Sequence, residues 1–278
     1  MSSFAYYNGR FDKKDKITLP LTDRSIYFGD AVYDVAIGCY DRILWEDEHI
    51  NRLLHNAEKL GINHNFSREF ISSLLREIAI KSMTASYMVY IQISRSWETR
   101  KHSATDCRAN MLITIDPYEP DLYSPPMKLM TMEDKRYDYC DVKTTNLIPA
   151  VLASTEAEIK GYDEAIFIRD GFVTECSKSN ISILKQGRIF THPKSSHILP
   201  GITREHLLQV CKEMNIPIDE TPFDKNELFS ADEIIVTSST KLCRSVSEID
   251  GIAVGGRSTD MFNKIRTRMN KSYFEIAL

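Results

Sequence analysis

The sequence predicts an α/β (α+β) protein of two domains, and three observations lead to that prediction. Helical and strand-like apolar patterns interleave along the chain without an internal repeat. The length of 278 residues suits two average domains better than one. Residues 116–126 contain four prolines and little periodicity, which marks a connection because proline fixes φ and cannot donate to a strand ladder. We therefore expect a smaller N-terminal α/β domain at 1–117, a linker at 118–126 and a larger C-terminal domain at 127–278.

The elements of the first domain follow from local patterns. Asn8-Gly9 readily takes the positive φ angles of a tight turn, so Phe4–Tyr7 and Arg10-Phe11 are predicted to form a hairpin. Residues 30–40 are rich in β-branched and aromatic side chains and predict a strand, with 43–45 as its hairpin partner. Helical spacing of apolar residues predicts helices at 49–60 and 70–83. Short apolar runs predict two further strands, at 87–94 and 110–115.

The second domain continues the interleaving. Its predicted strands lie at 128–131, 164–169, 181–184, 188–191 and 233–236. Its predicted helices lie at 148–160, after Gly201-Ile202-Thr203, and at 260–273. This alternation of helices and strands is typical of an enzyme.

Composition narrows the class of protein. Hydrophobic residues make up 42% of the chain and charged residues 27%, which excludes a largely disordered chain. The formal net charge of −4 argues against binding to nucleic acid, which usually requires a basic surface. The chain has neither an apolar run of membrane-spanning length nor an N-terminal apolar core like that of a signal peptide, so we expect no membrane association. Six scattered cysteines without a CxxC pair predict reduced thiols in the cytoplasm and no metal site.

Several polar positions could carry chemistry. Thr203 at a helix start and the run Thr237-Ser238-Ser239-Thr240 after a strand are typical of phosphate binding; alternatively they are a helix cap and a solvated turn. Lys143 would be a nucleophile only as a neutral amine, and would otherwise be solvated. Glu175 is flanked by strand-like runs, and a lone carboxylate at a strand end is usually a surface charge. The cluster Arg100-Lys101-His102 is either exposed or a trap for a carboxylate.

Taken together, these segments carry a family resemblance over nearly the whole chain. The chain resembles the fold-type IV pyridoxal 5'-phosphate (PLP) enzymes, and among them the D-amino acid transaminases most. The segments that carry the resemblance are DRSIYFGDAVYD, EHINRLLHNAEKLGI, SRSWETRKH, CDVKTTNLIPAVLA, YDEAIFIRDGFVTECSKSN, THPKSSHILPGITR and DEIIVTSST. The resemblance implies the two-domain fold of the PLP-dependent class IV aminotransferases.

The resemblance also implies a role for individual residues. Lys143 matches the catalytic lysine that holds PLP as a Schiff base and moves the substrate proton, and Glu175 matches the acid that pairs with the pyridinium nitrogen. The positions that match the phosphate site are Arg52, Ile202, Thr203, Ser238 and Ser239. Leu199 matches an apolar residue that packs on the cofactor ring, and Tyr33 matches a tyrosine near the substrate.

The pair formed by Arg100 and His102 matches the R-x-H pair that binds the substrate carboxylate in D-amino acid transaminases. In that family the pair reaches the site from the neighbouring subunit, so the resemblance implies a homodimer. The expected reaction is transamination of a D-amino acid, D-alanine, with 2-oxoglutarate to give pyruvate and D-glutamate. The alternatives are a branched-chain aminotransferase or aminodeoxychorismate lyase of the same fold, and a noncatalytic binding protein on the same scaffold.

Two residues depart from the family pattern. Cys176 stands where a glycine often follows the glutamate, and Lys178 enters a run that is usually small and uncharged. A side chain of Lys178 directed at the cofactor would contradict the interpretation of that loop. Trp97 and Glu98 precede Arg100 and are expected to shape the substrate pocket.

Overall fold

A computed structural model describes residues 3–96, 100–105 and 107–278 of the chain. Trp97 and Glu98 therefore lie outside the described residues. The chain divides into two compact units: the first holds the residues up to Pro120, Val142–Asn146 and Phe274–Leu278, and the second holds Asp121–Asp141 and Leu147–Tyr273. The domain boundaries predicted from the sequence remain a prediction, and the units differ from them in grouping Lys143 with the N-terminal residues.

Within its described residues, the first unit is built on a six-stranded antiparallel sheet with the order β2-β1-β6-β5-β3-β4. The strands are β1 Phe4–Tyr7, β2 Arg10–Lys13, β3 Ala31–Cys39, β4 Arg42–Ile43, β5 Ser86–Arg95 and β6 Ala109–Pro117. The helices are α1 Arg24–Phe28, α2 Glu46–Lys59 and α3 Arg68–Ser82, and a short 3-10 turn lies at Lys14–Lys16.

The hairpin at Asn8-Gly9 is confirmed, since β1 pairs with β2 and both turn residues have positive φ, 44° and 96°. The predicted partner strand at 43–45 is wrong at its end. Trp45 has a φ of 53° and precedes α2 as a left-handed residue. The helix then begins at Glu46 rather than His49, because three acidic residues in its first turn favour a helix N-terminus although they carry no apolar signal.

Successive residues of β3 point to opposite faces of the sheet. Val32 and Ala36 pack in the core with residues of α2 and α3, among them Ile50 and Leu53. Tyr33 lies between these core positions in sequence and is only partly buried. Strand pairing places Tyr33 opposite Gln92 of β5.

The second unit, over the part of the chain that the structure describes, has a nine-stranded mixed sheet with the order β12-β11-β10-β13-β14-β7-β8-β9 and β15 paired to β14. Its strands are β7 Met127–Glu133, β8 Glu164–Arg169, β9 Phe172–Cys176, β10 Asn180–Lys185, β11 Arg188–Thr191, β12 Ile218–Asp219, β13 Glu233–Ser238, β14 Leu242–Ile249 and β15 Ile252–Ala253. Its helices are α4 Ile148–Ile159, α5 Ile202–Glu213, α6 Lys225–Ser230 and α7 Thr259–Ala277, of which α7 belongs to this unit up to Tyr273.

The apolar core of this unit lies beneath the strands that carry the candidate residues. Val173 and Cys176 of β9, Ile181 of β10 and Val236 of β13 pack in one cluster. Glu175 is the second-to-last residue of β9 and Ser238 is the last residue of β13, so each lies next to the loop that follows its strand. No helix among the described residues is both long enough and apolar enough to cross a membrane.

Candidate active site

Lys143 lies in a short segment of the first unit that is held against the start of β3. Thr144 forms a bridge with Val32, and the Tyr33 amide donates to the Lys143 carbonyl at 2.9 Å. The side chain of Thr145 donates to the carbonyl of Gly29 at 2.9 Å. Because the main chain is fixed on both sides, the direction of the Lys143 side chain is set by the fold.

The amine of Lys143 contacts Tyr33. Its Nζ lies 3.4 Å from the Tyr33 hydroxyl and 4.4 Å from the centre of the ring. Tyr33 stacks on Tyr90 with a centroid distance of 5.3 Å, and the Tyr90 hydroxyl donates to Gln92 at 2.7 Å. The structure thus brings together Lys143 and Tyr33, which the sequence singled out separately.

Arg52 is held from the core side of β3. Its Nε and Nη2 each donate to the Asp34 carboxylate at 2.8 Å. His49 Nδ1 lies 2.7 Å from the same carboxylate. Burial acts to raise the pKa of Asp34, but Arg52 and His49 outweigh it and hold that pKa well below its usual range. The paired carboxylate fixes one edge of the Arg52 guanidinium fork.

The R-x-H pair lies on an exposed loop of the first unit. The Arg100 guanidinium lies 4.9 Å from the centre of the Phe28 ring, and the His102 ring lies 5.3 Å from it. Lys101 instead extends to Thr105, with Nζ 3.4 Å from the hydroxyl oxygen. Arg100 and His102 therefore share one aromatic surface and Lys101 does not.

Glu175 is a buried acid of the second unit, with 6% of its surface exposed. Its carboxylate accepts hydrogen bonds from Asn180 Nδ2 at 2.9 Å and from the amide of Leu199 at 3.1 Å. Arg136 also donates to it. The burial of Glu175 excludes the alternative of a surface charge, and three donors offer hydrogen bonds to the one carboxylate.

Arg136 and Asn180 hold Glu175, and no pattern in the sequence points to either residue. Arg136 binds the Asp134 carboxylate, whose side chain is buried, through two N–H groups at 2.9 Å. Its guanidinium lies 4.4 Å from the centre of the Phe167 ring. Burial acts to lower the pKa of Arg136, and the two carboxylates raise it instead. Asn180 also donates to the Leu199 carbonyl at 2.9 Å. The backbone of Leu199 is therefore connected to Glu175 directly through its amide and indirectly, through Asn180, at its carbonyl. A Cβ at Gly201 would clash with the Asn180 side chain, which explains the glycine there.

The candidate phosphate residues of the second unit lie at a helix start and a strand end. Gly201 is the N-cap of α5, with no side-chain cap, and Ile202 and Thr203 are the first helical residues. The interpretation of Thr203 as an N-cap is therefore wrong. Ser238 ends β13 and accepts a hydrogen bond from the Lys241 amide at 3.2 Å, and Ser239 follows it.

Thr203 gives a direct test of whether the second unit fits a phosphorylated cofactor. Its hydroxyl is buried and has no hydrogen-bond partner within the described residues, and such an orphaned group costs free energy until a ligand satisfies it. It lies in the first turn of a 12-residue helix, where amide groups and the helix dipole favour an anion. With a buried charged acid in the same unit, this chemistry fits PLP.

Neither departure from the family pattern disturbs this arrangement. Lys178 is exposed, and its amide donates to the Glu164 carboxylate at 3.3 Å. Cys176 is buried beside Glu175 in β9, and burial raises the pKa of its thiol well above the usual value.

Comparison with known proteins agrees with these features. The sequence model of the amino-transferase class IV family matches residues 32–249. A D-alanine aminotransferase of Bacillus licheniformis is 34% identical over 274 residues, covering 96% of this chain and 95% of the relative. One from Staphylococcus epidermidis is 32% identical over 253 residues, covering 88% and 89%.

Solved structures support the same fold. A branched-chain aminotransferase of Thermoproteus uzoniensis with norvaline superposes with a TM-score of 0.90 at 23% identity, covering 98% of this chain and 94% of that one. A putative 4-amino-4-deoxychorismate lyase of Legionella pneumophila gives a TM-score of 0.84 at 21% identity, covering 93% and 97%. At these identities the likeness shows the fold and does not distinguish between the reactions.

Proposed function

We propose that this chain, which belongs to the class IV aminotransferases and is a PLP-dependent enzyme, transfers the amino group of a D-amino acid, D-alanine, to 2-oxoglutarate and forms pyruvate and D-glutamate. The observation that carries the proposal is the shared position of Arg100 and His102 on the Phe28 ring. An arginine fork beside an imidazole is suited to a carboxylate, the group that every substrate of this reaction carries. The relatives named as D-alanine aminotransferases support the proposal.

Each candidate residue has a defined task in this proposal. When bound, PLP supplies a carbonyl that takes up the amino group and a ring that accepts an electron pair. The Lys143 amine holds the cofactor and moves the proton at the α-carbon of the substrate. Tyr33, 3.4 Å from that amine, orients it. Glu175 stays charged and favours a protonated pyridine nitrogen.

The phosphate is proposed to bind Thr203, Ile202, Ser238 and Ser239, together with Arg52. The orphaned hydroxyl of Thr203 supports this assignment most directly. Leu199 is proposed to pack on the ring, and its two backbone bonds to Glu175 and Asn180 would hold it in place.

In this proposal the carboxylate site determines which enantiomer of the substrate reacts. A substrate whose carboxylate is held by Arg100 and His102 must present its α-hydrogen to Lys143. Exchanging the enantiomer while the carboxylate stays in place would put the side chain where the hydrogen should be. We therefore expect small D-amino acids to react and L-leucine or L-valine to react poorly.

A homodimer is part of the proposal. Helix α4 exposes an apolar stripe of Ile148, Val151 and Leu152, which are 68%, 51% and 64% exposed. Such a stripe is unusual for a monomer and supports a subunit contact. Leu152→Lys should shift the chain from dimer to monomer in sedimentation, and a parent chain that sediments as a monomer would contradict the dimer.

The cytoplasm is the proposed location, because all six cysteines are free and a reducing compartment keeps thiols in that state. Cell fractionation tests this, and recovery of the protein from an oxidising compartment would contradict it.

A panel of single amino acids tests the function. The purified holoenzyme is mixed with 2-oxoglutarate and one of D-alanine, L-alanine or L-leucine, and the oxo acid product is measured. The proposal predicts pyruvate from D-alanine and little product from L-leucine. A preference for L-leucine would favour a branched-chain aminotransferase. Pyruvate from aminodeoxychorismate without transamination would favour the lyase.

A further inference from the structure

The loop that carries Arg100 and His102 is held by a buried arginine of α1. Arg24 is 3% exposed. Its Nη1 donates to the Lys101 carbonyl at 2.7 Å and its Nη2 donates to the His102 carbonyl at 3.0 Å. Two adjacent carbonyls bound by one planar group fix both the position and the orientation of the loop backbone.

The Phe28 ring adds a second connection between Arg24 and the loop. The Arg24 guanidinium lies 4.5 Å from the ring centre, and the Arg100 guanidinium lies 4.9 Å from it. The His102 ring is 5.3 Å away. Arg24 and Phe28 are one helical turn apart in α1, so the same short helix holds the loop through its carbonyls and supports its two side chains.

Asp30 anchors Arg24 from the other side. Its carboxylate accepts from Arg24 Nε at 2.6 Å and from Arg95 Nη1 at 2.9 Å. Arg95 ends β5 and also donates to the Leu60 carbonyl. Arg24 is therefore fixed by a charged partner while its other edge faces the loop.

We propose that Arg24 is a positioning residue for the substrate carboxylate, acting through the carbonyls of Lys101 and His102 and through the Phe28 ring. This inference rests on the proposed role of Arg100 and His102. A lysine at this position could keep a charge near Asp30, but its single ammonium group cannot hold two carbonyls in a plane. The expected signature is a change in the affinity for carboxylate substrates without a change in the cofactor.

The test compares Arg24→Lys with the exposed control Arg68→Lys in the holoenzyme. Misplacing a binding group by about an ångström costs up to roughly 100-fold, so Arg24→Lys should raise the KM for D-alanine and for 2-oxoglutarate by about 10- to 100-fold. The kcat should stay within a few-fold of the parent, and the visible absorption of the bound cofactor should be unchanged. Arg68→Lys should change neither constant. Unchanged KM values for Arg24→Lys, or a fall in kcat with loss of cofactor absorption, would overturn the inference.

The double variant separates the inference from the proposed function. If Arg24 positions the loop that carries Arg100 and His102, Arg24→Lys should raise the KM less in Arg100→Ala than in the parent, whereas full additivity would overturn the inference. If Arg100→Ala leaves the KM of the parent unchanged, the proposed carboxylate site itself is wrong.

If Arg24→Lys does not fold, Phe28→Leu decides, because it keeps both carbonyl bonds and removes the ring. It should raise the KM several-fold, and an unchanged KM would overturn the inference.

Discussion

The two units hold their candidate residues in different ways. Glu175 in the second unit is buried and fixed by side-chain and amide donors that bind its own carboxylate. Arg100 in the first unit is exposed on a ring, and its loop is held through backbone carbonyls by Arg24. A group fixed by its own bonds can stay charged out of water, whereas a group on an anchored loop can meet different substrates. We expect substitution of a group fixed by its own bonds, such as Glu175, to reduce turnover. Substitution of a group on an anchored loop, such as Arg100, should reduce substrate affinity.

The largest expected effect lies at Lys143. Lys143→Ala should still bind PLP through the phosphate residues, but turnover should fall by several orders of magnitude, because no other amine takes over the proton transfer. Borohydride reduction of the parent holoenzyme followed by peptide mapping should mark Lys143. Lys178→Ala is the matched control, since that lysine is exposed, and it should keep both label and turnover. A label on a different lysine would contradict the assignment.

Glu175→Gln should show the next largest effect. The amide keeps the shape of the side chain but removes the charge that favours a protonated pyridine nitrogen, so proton abstraction should slow by roughly 100- to 1,000-fold. The cofactor should stay bound. Single-turnover rates with D-alanine measure this step. Equal rates in the variant and the parent would show that Glu175 is not the partner of that nitrogen.

Acid should destabilise the first unit through Asp34. The folded chain holds the pKa of Asp34 below its usual value, so its contribution to stability is present above about pH 4 and is lost as the pH falls below that value. Asp34→Asn breaks the buried ion pair between Asp34 and Arg52, and should lower the free energy of unfolding at pH 7 by about 3–5 kcal/mol. Urea unfolding at pH 7, 5 and 3.5 should show a weaker dependence on pH for the variant. Equal pH dependence in both proteins would contradict the pairing.

The smallest effect is expected at Thr203. Thr203→Val removes a hydroxyl that is orphaned within the described residues, so the apoenzyme should lose no stability. The affinity for PLP should fall about tenfold, the equivalent of one hydrogen bond of roughly 1.4 kcal/mol. Thr191→Val is the matched control, because the buried Thr191 hydroxyl already donates to the Ile181 carbonyl at 3.4 Å. A Thr203→Val protein that binds PLP as well as the parent would remove Thr203 from the phosphate site.

Sequence patterns predicted the helices and strands better than they predicted the residues that hold the candidate site residues in place. The strands at 164–169 and 188–191 were predicted at their observed limits, since each is a short apolar run between turn residues. The start of α2 was missed because acidic residues, not apolar ones, begin it. Strand β14 at Leu242–Ile249 was missed because its polar residues hide the alternation.

The candidate roles came from the resemblance, while the residues that hold the candidates in place carried no signal of their own. Arg136 and Asn180 are polar residues in ordinary surroundings, and only the fold shows that both bind Glu175. Arg24 is likewise a charged residue after a turn, and its burial depends on a loop 77 residues away in the chain. Local periodicity in a sequence does not predict long-range contacts of this kind.

The most direct test of the proposed function is the ratio of kcat/KM for D-alanine to kcat/KM for L-leucine, measured with 2-oxoglutarate in the parent and in Arg100→Ala. A charge-assisted hydrogen bond contributes about 1.5–3 kcal/mol, so Arg100→Ala should raise the KM for D-alanine by roughly 10- to 100-fold. Lys101→Ala, the matched control, should change it little because Lys101 extends to Thr105. The account predicts a ratio far above one in the parent and a clear fall in Arg100→Ala. A ratio below one in the parent, or equal damage from Lys101→Ala, would contradict it.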